Sequence, residues 1–429
     1  MKQIIYQALP RLWRSGKFSD WDESAFSYLK SLGIDILWLT GIPRHSSGKP
    51  SVKGDPGSPY AIEDWMDTNP YLADNEEERM TEFEGLVRRA HAAGLKVLTD
   101  FIPNHVARDY SGPVPHLDIC DYDWTDTVKV DYSDPATIQA MTDVLDFWAD
   151  RGVDGFRSDM VELVDAGKLG RIVRGAKAHK PSLLFVAEVY GKENYSRYLG
   201  DAGIDVIYDK SGSYDLLRAI AGGNSSAREL SWHWQWLGDR QPLMLNFLEN
   251  HDEQRIASSF WGRREGYPWA ELAYSMLFNT AHFLLYFGQE AGEDAAEGHQ
   301  GRTSIFNWCK PGTLTRLGEY SASGKGLKAG ERSMLARYRK LLGFAKKDAF
   351  RDGGNWDLAY CQPEGQGFDQ DRHSAFLRFN GRETWLVFCN YSLTTAKVRI
   401  HFPEELSGRL CRGTEEVEVP AQDFLIIKL

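Results

Sequence analysis

No stretch of this 429-residue chain is apolar for as long as a membrane-spanning helix requires, roughly 20 residues. Its start, Met1-Lys2-Gln3-Ile4-Ile5-Tyr6, passes straight into a strand-like run, without the apolar segment and small-residue cleavage site of a secretory leader. Cysteine is scarce. Cys120, Cys309, Cys361, Cys389 and Cys411 are odd in number, scattered and without metal spacing, so they read as reduced thiols. A cytoplasmic protein is the expectation. Basic residues are in deficit, 50 Lys and Arg against 61 Asp and Glu, for a net charge of −11. That balance argues against nucleic-acid and membrane partners, both of which attract basic patches, and leaves a neutral ligand open. Internal repeats and low-complexity tracts are lacking too, and nothing in the sequence sets an oligomeric state.

Aromatic residues are plentiful, with 14 Trp and 19 Tyr. Flat rings suit the apolar faces of sugars as well as a protein core. The length points to two or three domains, one of them large enough for an α/β barrel. Short apolar runs alternate with helical patterns at residues 4–8, 36–40, 97–102, 155–159, 183–189, 205–208, 243–248 and 283–287. Eight such βα units predict a parallel (β/α)8 TIM barrel whose chemistry lies at the C-terminal ends of its strands. Asp100, Asp159, Glu188 and Asp252 all fall at or just past those ends, so the periodicity alone makes them converge on one rim.

Residues 106–135, after the third strand, are rich in Asp, Pro, Gly and Tyr and read as a short irregular excursion. A helix over 134–150 follows, with Pro135 in its first turn and an apolar face through Met141, Val144, Leu145 and Trp148. A basic amphipathic helix over 335–344 reads as a solvated face. Beyond it, alternating runs at 375–379, 384–389, 396–402 and 423–429 predict a C-terminal antiparallel β-sandwich. The expected division is a barrel domain over 1–345, including the excursion, and an all-β domain over 346–429.

In Gly155-Phe156-Arg157-Ser158-Asp159-Met160, Arg157 and Asp159 share one face of a strand. A neighbouring guanidinium favours an ionised carboxylate, as a nucleophile requires. Glu188 follows the apolar run Leu183-Leu184-Phe185-Val186-Ala187 with no cation adjacent in sequence; desolvation of that kind raises a carboxyl pKa and suits a proton donor. A charged and a protonated carboxyl form the pair that glycoside cleavage needs. His105 and His251 each follow an Asn at a strand end, close to one of these acids.

Together with Asp100-Phe101-Ile102-Pro103-Asn104-His105, Gly57-Ser58-Pro59-Tyr60, Leu248-Glu249-Asn250-His251-Asp252 and Tyr286-Phe287-Gly288-Gln289-Glu290, these segments resemble, in order and spacing, those of the α-amylase family (glycoside hydrolase family 13) of retaining glycosidases and transglycosylases. The resemblance implies Asp159 as nucleophile, Glu188 as acid/base and Asp252 as a third acid holding the sugar. It implies sugar contacts by His105 and His251, stacking by Tyr60, and support from Asp100 and Arg157. It requires no cofactor, although many members hold calcium, through positions matching Asn104 and an Asp near Asp131.

Met160, after the nucleophile, and Lys129-Val130-Asp131-Tyr132 depart from the family's usual subgroup words. The activity the resemblance implies, from what is common in the family and not from these words, is hydrolysis of α-glucosidic, chiefly α-1,4, bonds in starch-derived glucans or malto-oligosaccharides. Transfer to another sugar, or α-1,6 cleavage, on the same fold is the alternative. A non-catalytic glucan-binding relative would lack an acid, and all three are here.

Overall fold

The computed structural model describes residues 1–297, 300–302, 305–309, 311–410 and 413–429, so Cys411 lies outside the described residues. Eight strands form a closed parallel barrel: Ile4–Ala8, Ile36–Leu39, Lys96–Phe101, Gly155–Ser158, Leu184–Ala187, Val206–Tyr208, Met244–Asn246 and His282–Tyr286. The first strand closes the ring by pairing with both the second and the eighth. The runs are largely apolar because both faces are covered. Ile5, Trp38, Leu98, Val186 and Leu245 pack together inside the barrel. Their chain neighbours Ile4, Leu37, Val97, Phe185 and Met244 pack into the larger core with the surrounding helices. Among the described residues no helix is long and apolar enough to cross a membrane.

The helix expected over 134–150 is Thr137–Asp150, and it buries Met141, Val144, Leu145 and Trp148. Pro135 precedes the helix instead of opening it, because the Asp134 carboxylate accepts the Ala136 N–H at 2.8 Å and holds a turn there. The excursion after the third strand is not irregular. His105–Ala107, Thr127–Val130 and His116–Leu117 form a three-stranded antiparallel sheet with Thr127–Val130 in the middle. Strands of two to four residues are too short to show alternation. A second excursion, between the second and third barrel strands, pairs Pro43–His45 with Ile62–Thr68 and carries Tyr60.

After the barrel, the helix Ala329–Ala345 extends beyond the expected 335–344. Its basic face is only partly solvated. Arg337 pairs with Asp423 and lies 4.0 Å over the Trp269 ring, and Lys346, just past the end, bonds Asp35 at 2.6 Å. Then come Gly354–Asp357, His373–Phe379, Thr384–Asn390 and Asp423–Lys428 as a four-stranded antiparallel sheet, and Ala396–His401 with Thr414–Val419 as a two-stranded one. Leu377, Leu386, Phe388, Val398, Ile400 and Val417 form the core between them. Two of these six strands have no clear sequence signal: Gly354–Asp357 contains one apolar residue, and Thr414–Val419 is half glutamate.

Candidate active site

A Cβ on Gly155 would fall 2.1 Å from the Leu184 carbonyl oxygen, so only glycine lets the fourth strand approach the fifth. In that register Ser158 opposes Phe101 on one side and Ala187 on the other. The Asp159 N–H donates to Phe101 O at 2.8 Å and the Glu188 N–H to Ser158 O at 3.0 Å, which carries the ladder one residue past each strand. Asp159 and Glu188 therefore leave the rim side by side.

Arg157, one side-chain period behind Asp159, points into the barrel and is 0% exposed. Its guanidinium lies 5.4 Å from the Trp38 ring, 5.6 Å from Tyr60 and 5.4 Å from Tyr208. One arm of the fork donates to Asp159 Oδ1, and the other lies 3.0 Å from Glu188 Oε2. Glu188 has no cation adjacent in sequence, but strand pairing brings it the arginine that sequence adjacency assigned to Asp159 alone. Glu188 also accepts the Tyr190 hydroxyl at 2.6 Å and the Met160 N–H at 3.0 Å. Met160 has left-handed backbone angles, φ 42° and ψ 42°, a strained conformation for a side chain of this size, and they turn its N–H toward Glu188.

Burial pushes the Asp159 carboxyl well above the usual carboxylate range; Arg157 opposes the shift, and the charges of Glu188 and Asp252 add to it. An Asp159 held ionised by its arginine therefore does not describe the free site, where burial and the neighbouring carboxylates outweigh the guanidinium. For Asp252 the balance tips the other way. Burial is outweighed by His251, 3.0 Å away, and by Arg157, which hold its carboxyl at about 2. Because one cation serves two acids, Arg157→Met is expected to move both limbs of the kcat/KM profile to higher pH. Removing a cation raises the pKa of every carboxyl it touches. A profile in which the acidic limb alone moves would mean that Glu188 does not depend on Arg157.

The segment after the seventh strand is closed by a fully buried pair: Arg255 bonds Glu249 at 2.9 Å, and the Ile256 N–H donates to the same carboxylate at 2.6 Å. Asn250 Oδ1 accepts the N–H groups of Asp252 at 2.9 Å and Glu253 at 3.0 Å. His251 sits 2.7 Å from Gln7 Nε2 and 2.5 Å from the Tyr60 hydroxyl, and the Tyr60 ring stacks on it at 5.2 Å. Asp100 accepts Trp38 Nε1 at 3.1 Å and the Gly41 N–H at 3.2 Å, and burial pushes it up to about 6.

A cavity of about 410 Å³ is lined by Asp159, Glu188, Asp252, Tyr60 and His105. Arg157, His251 and Asp100 lie behind these side chains as support. Burial pushes His105 down to about 4, so the imidazole facing the cavity is neutral at physiological pH. Trp124, Tyr190, Lys210, Glu253 and Arg302 are among the other residues of the lining and were missed. Lys210 was open to the rule that found the acids, since it lies two residues past the sixth strand. Trp124 gave no signal, because only the small sheet after the third strand brings it to His105, with ring centres 5.4 Å apart.

Asn104 and Asp131, the positions implied for calcium, do not share a site through their side chains. Asn104 turns its amide Nδ2 to Asp121 Oδ2 at 2.8 Å, and the Lys129 ammonium lies 2.8 Å from Asp121 Oδ1. Asp131 Oδ1 instead accepts the Ser133 N–H at 2.8 Å and hydroxyl at 2.6 Å. Calcium takes six to eight oxygens, and here an amide donor and an ammonium face the carboxylate, so these residues do not fit the ion. Among the described residues no three His, Cys, Asp or Glu side chains form a metal cluster. The expected outcome is one melting temperature with chelator and with added calcium, since a ligand stabilises a fold only by binding it. A calcium-dependent rise of several degrees would contradict it.

The family description "Alpha amylase, catalytic domain" matches residues 23–112. The chain is 22% identical to "Alpha-amylase 3" of Dictyoglomus thermophilum over 367 residues, covering 73% of this chain and 70% of that protein. It is 26% identical to the cyclomaltodextrin glucanotransferase of Bacillus sp. (strain 1-1) over 342 residues, covering 63% of this chain but 44% of that protein, so it spans less than half the length of this second relative. In structure it is similar to an α-amylase from Lactobacillus plantarum, with a TM-score of 0.72 at 22% identity over 100% of this chain and 98% of the other.

Proposed function

From the premise that this chain belongs to the α-amylase family of glycoside hydrolases, we propose that it cleaves α-glucosidic bonds, chiefly α-1,4, in malto-oligosaccharides and starch-derived glucans with retention of configuration. The observation that carries the reading is one guanidinium fork contacting both Asp159 and Glu188. A single planar group reaching two carboxyls suits the separation of about 5 to 5.5 Å of a retaining pair better than the roughly 6.5 to 9.5 Å of an inverting one.

Substrate entering the cavity displaces water, and the cluster must then place its proton on Glu188 and its charge on Asp159. Arg157 lies against both and favours the ionised form of the acid that attacks. Glu188 protonates the glycosidic oxygen as Asp159 attacks the anomeric carbon, giving a covalent β-linked sugar. Asp252, held at about 2, remains an anion and supports the positive charge of the transition state. Glu188 then takes a proton from water, which attacks the face the leaving group vacated.

Proton NMR of the first products from maltoheptaose is expected to show the α anomer before mutarotation. An initial β signal would overturn Asp159 as nucleophile. Among the relatives of similar identity are both hydrolases and glucanotransferases, so the same samples are to be separated by length. Hydrolysis gives only shorter chains, whereas products longer than the substrate would reveal transfer.

A further inference from the structure

Between the helix Arg228–Leu237 and the four-stranded C-terminal sheet lies a groove of about 590 Å³, separate from the catalytic cavity. The helix turns Arg228, Ser231, Trp232 and Gln235 to it, the i, i+3, i+4 and i+7 positions of one face. The sheet side contributes Trp356 and Tyr360. Trp232 is 58% exposed and Tyr360 64%. Rings of this size are usually covered, and an exposed cluster of them marks a contact surface.

The polar groups narrow the class of ligand. Side-chain amides of Gln235, Asn355 and Gln370 belong to the lining. The charges are satisfied locally. Arg228 Nε lies 3.2 Å from Asp371, and Asp357 accepts the Ser231 hydroxyl and the Ala359 N–H at 2.9 Å. Among the described residues lining the groove, no charge is left unpaired for an ionic ligand. Flat, exposed ring faces beside uncharged side-chain amides suit a neutral, polyhydroxylated chain with apolar faces.

The groove also leads toward the catalytic cavity. Trp232 lines a second groove with Trp236, Lys192 and Ser211, and Tyr190 and Lys210, two residues and one residue away from these in the chain, line the cavity itself. We propose that the surface between Arg228–Leu237 and the C-terminal sheet is a second glucan-binding site, which holds a stretch of an α-glucan polymer whose other stretch enters the catalytic cavity. The choice of an α-glucan rests on the function proposed above; the groove itself calls for a neutral sugar chain.

The test uses Trp232→Ala/Tyr360→Ala in two backgrounds. In the full chain carrying Asp159→Asn, retardation in native gels containing glycogen is expected to weaken by about fivefold or more, the usual loss when aromatic anchors are truncated. In the active chain, kcat/KM on maltotriose is expected to stay within twofold, while KM on glycogen rises. Glycogen affinity unchanged by the double substitution, with an unchanged melting curve, would overturn the site. Equal weakening toward glycogen and a soluble β-glucan would overturn the α-glucan assignment. If the wild type hydrolyses no α-glucan, the function proposed above fails, while the binding comparison still reads the groove by itself.

Discussion

Asp159→Asn is expected to lower kcat on an α-linked oligosaccharide by about 10⁴-fold or more, the scale of losing a group that forms the covalent intermediate. An amide keeps the shape of the side chain and cannot attack. The fold is expected to tolerate the change, because burial already pushes the Asp159 carboxyl toward its neutral form. A carboxyl whose pKa is raised on folding costs stability once the pH exceeds its unfolded value near 4, and the cost grows until the folded group ionises. The variant should therefore melt no lower than the wild type at pH 7, and the two curves should converge as the pH falls to about 4. Arg157 retains Glu188 as a partner, so the substitution strands no buried cation. Turnover above about one per cent of wild type in a variant that melts normally would remove Asp159 from the reaction.

Glu188→Gln is expected to separate substrates by leaving group. With a sugar leaving group, which needs a proton, the loss should be about 10² to 10⁴-fold. With fluoride or dinitrophenolate, which leave without one, the first step should be nearly intact and the enzyme should stall as the glycosylated form, since no base activates water. Azide, which needs no base, should then restore turnover and yield the α-glycosyl azide. In the Asp159→Ala variant azide would attack the substrate itself from the opposite face and yield the β-azide. Equal loss on both kinds of substrate, or azide products of one configuration from both variants, would contradict the division of roles between the two acids.

Both predictions depend on contacts across strands, and here sequence and structure contribute differently. Along the chain, a period of two placed Arg157 and Asp159 on one face, and strand-like runs of four to seven residues marked all eight barrel strands. These are local signals, carried by residues that touch within one element, and so was the placement of Asp100, Asp159, Glu188 and Asp252 just past strand ends. The segments around Tyr60 and His105 were found by their likeness to a family, which implied sugar contacts but not their partners within the protein.

Register and closure were decided only in the folded chain. Pairing Gly155 with Leu184 sets Asp159 beside Glu188, gives Glu188 the same arginine, and so changes the electrostatics inferred for both acids. The sheet after the third strand pairs Asp121 with both Asn104 and Lys129, and leaves Asp131 to Ser133. The charge state of a buried acid depends on desolvation and on every charge within a few ångströms, most of them far away in sequence: Asp159 and Asp252 are 93 positions apart and act on one another. The sequence by itself determined which groups this protein brings to the barrel rim, because periodicity and strand ends are short-range properties. The tertiary structure decided which of those groups touch and which are buried beside one another's charges, because strand register and burial are properties of the whole chain.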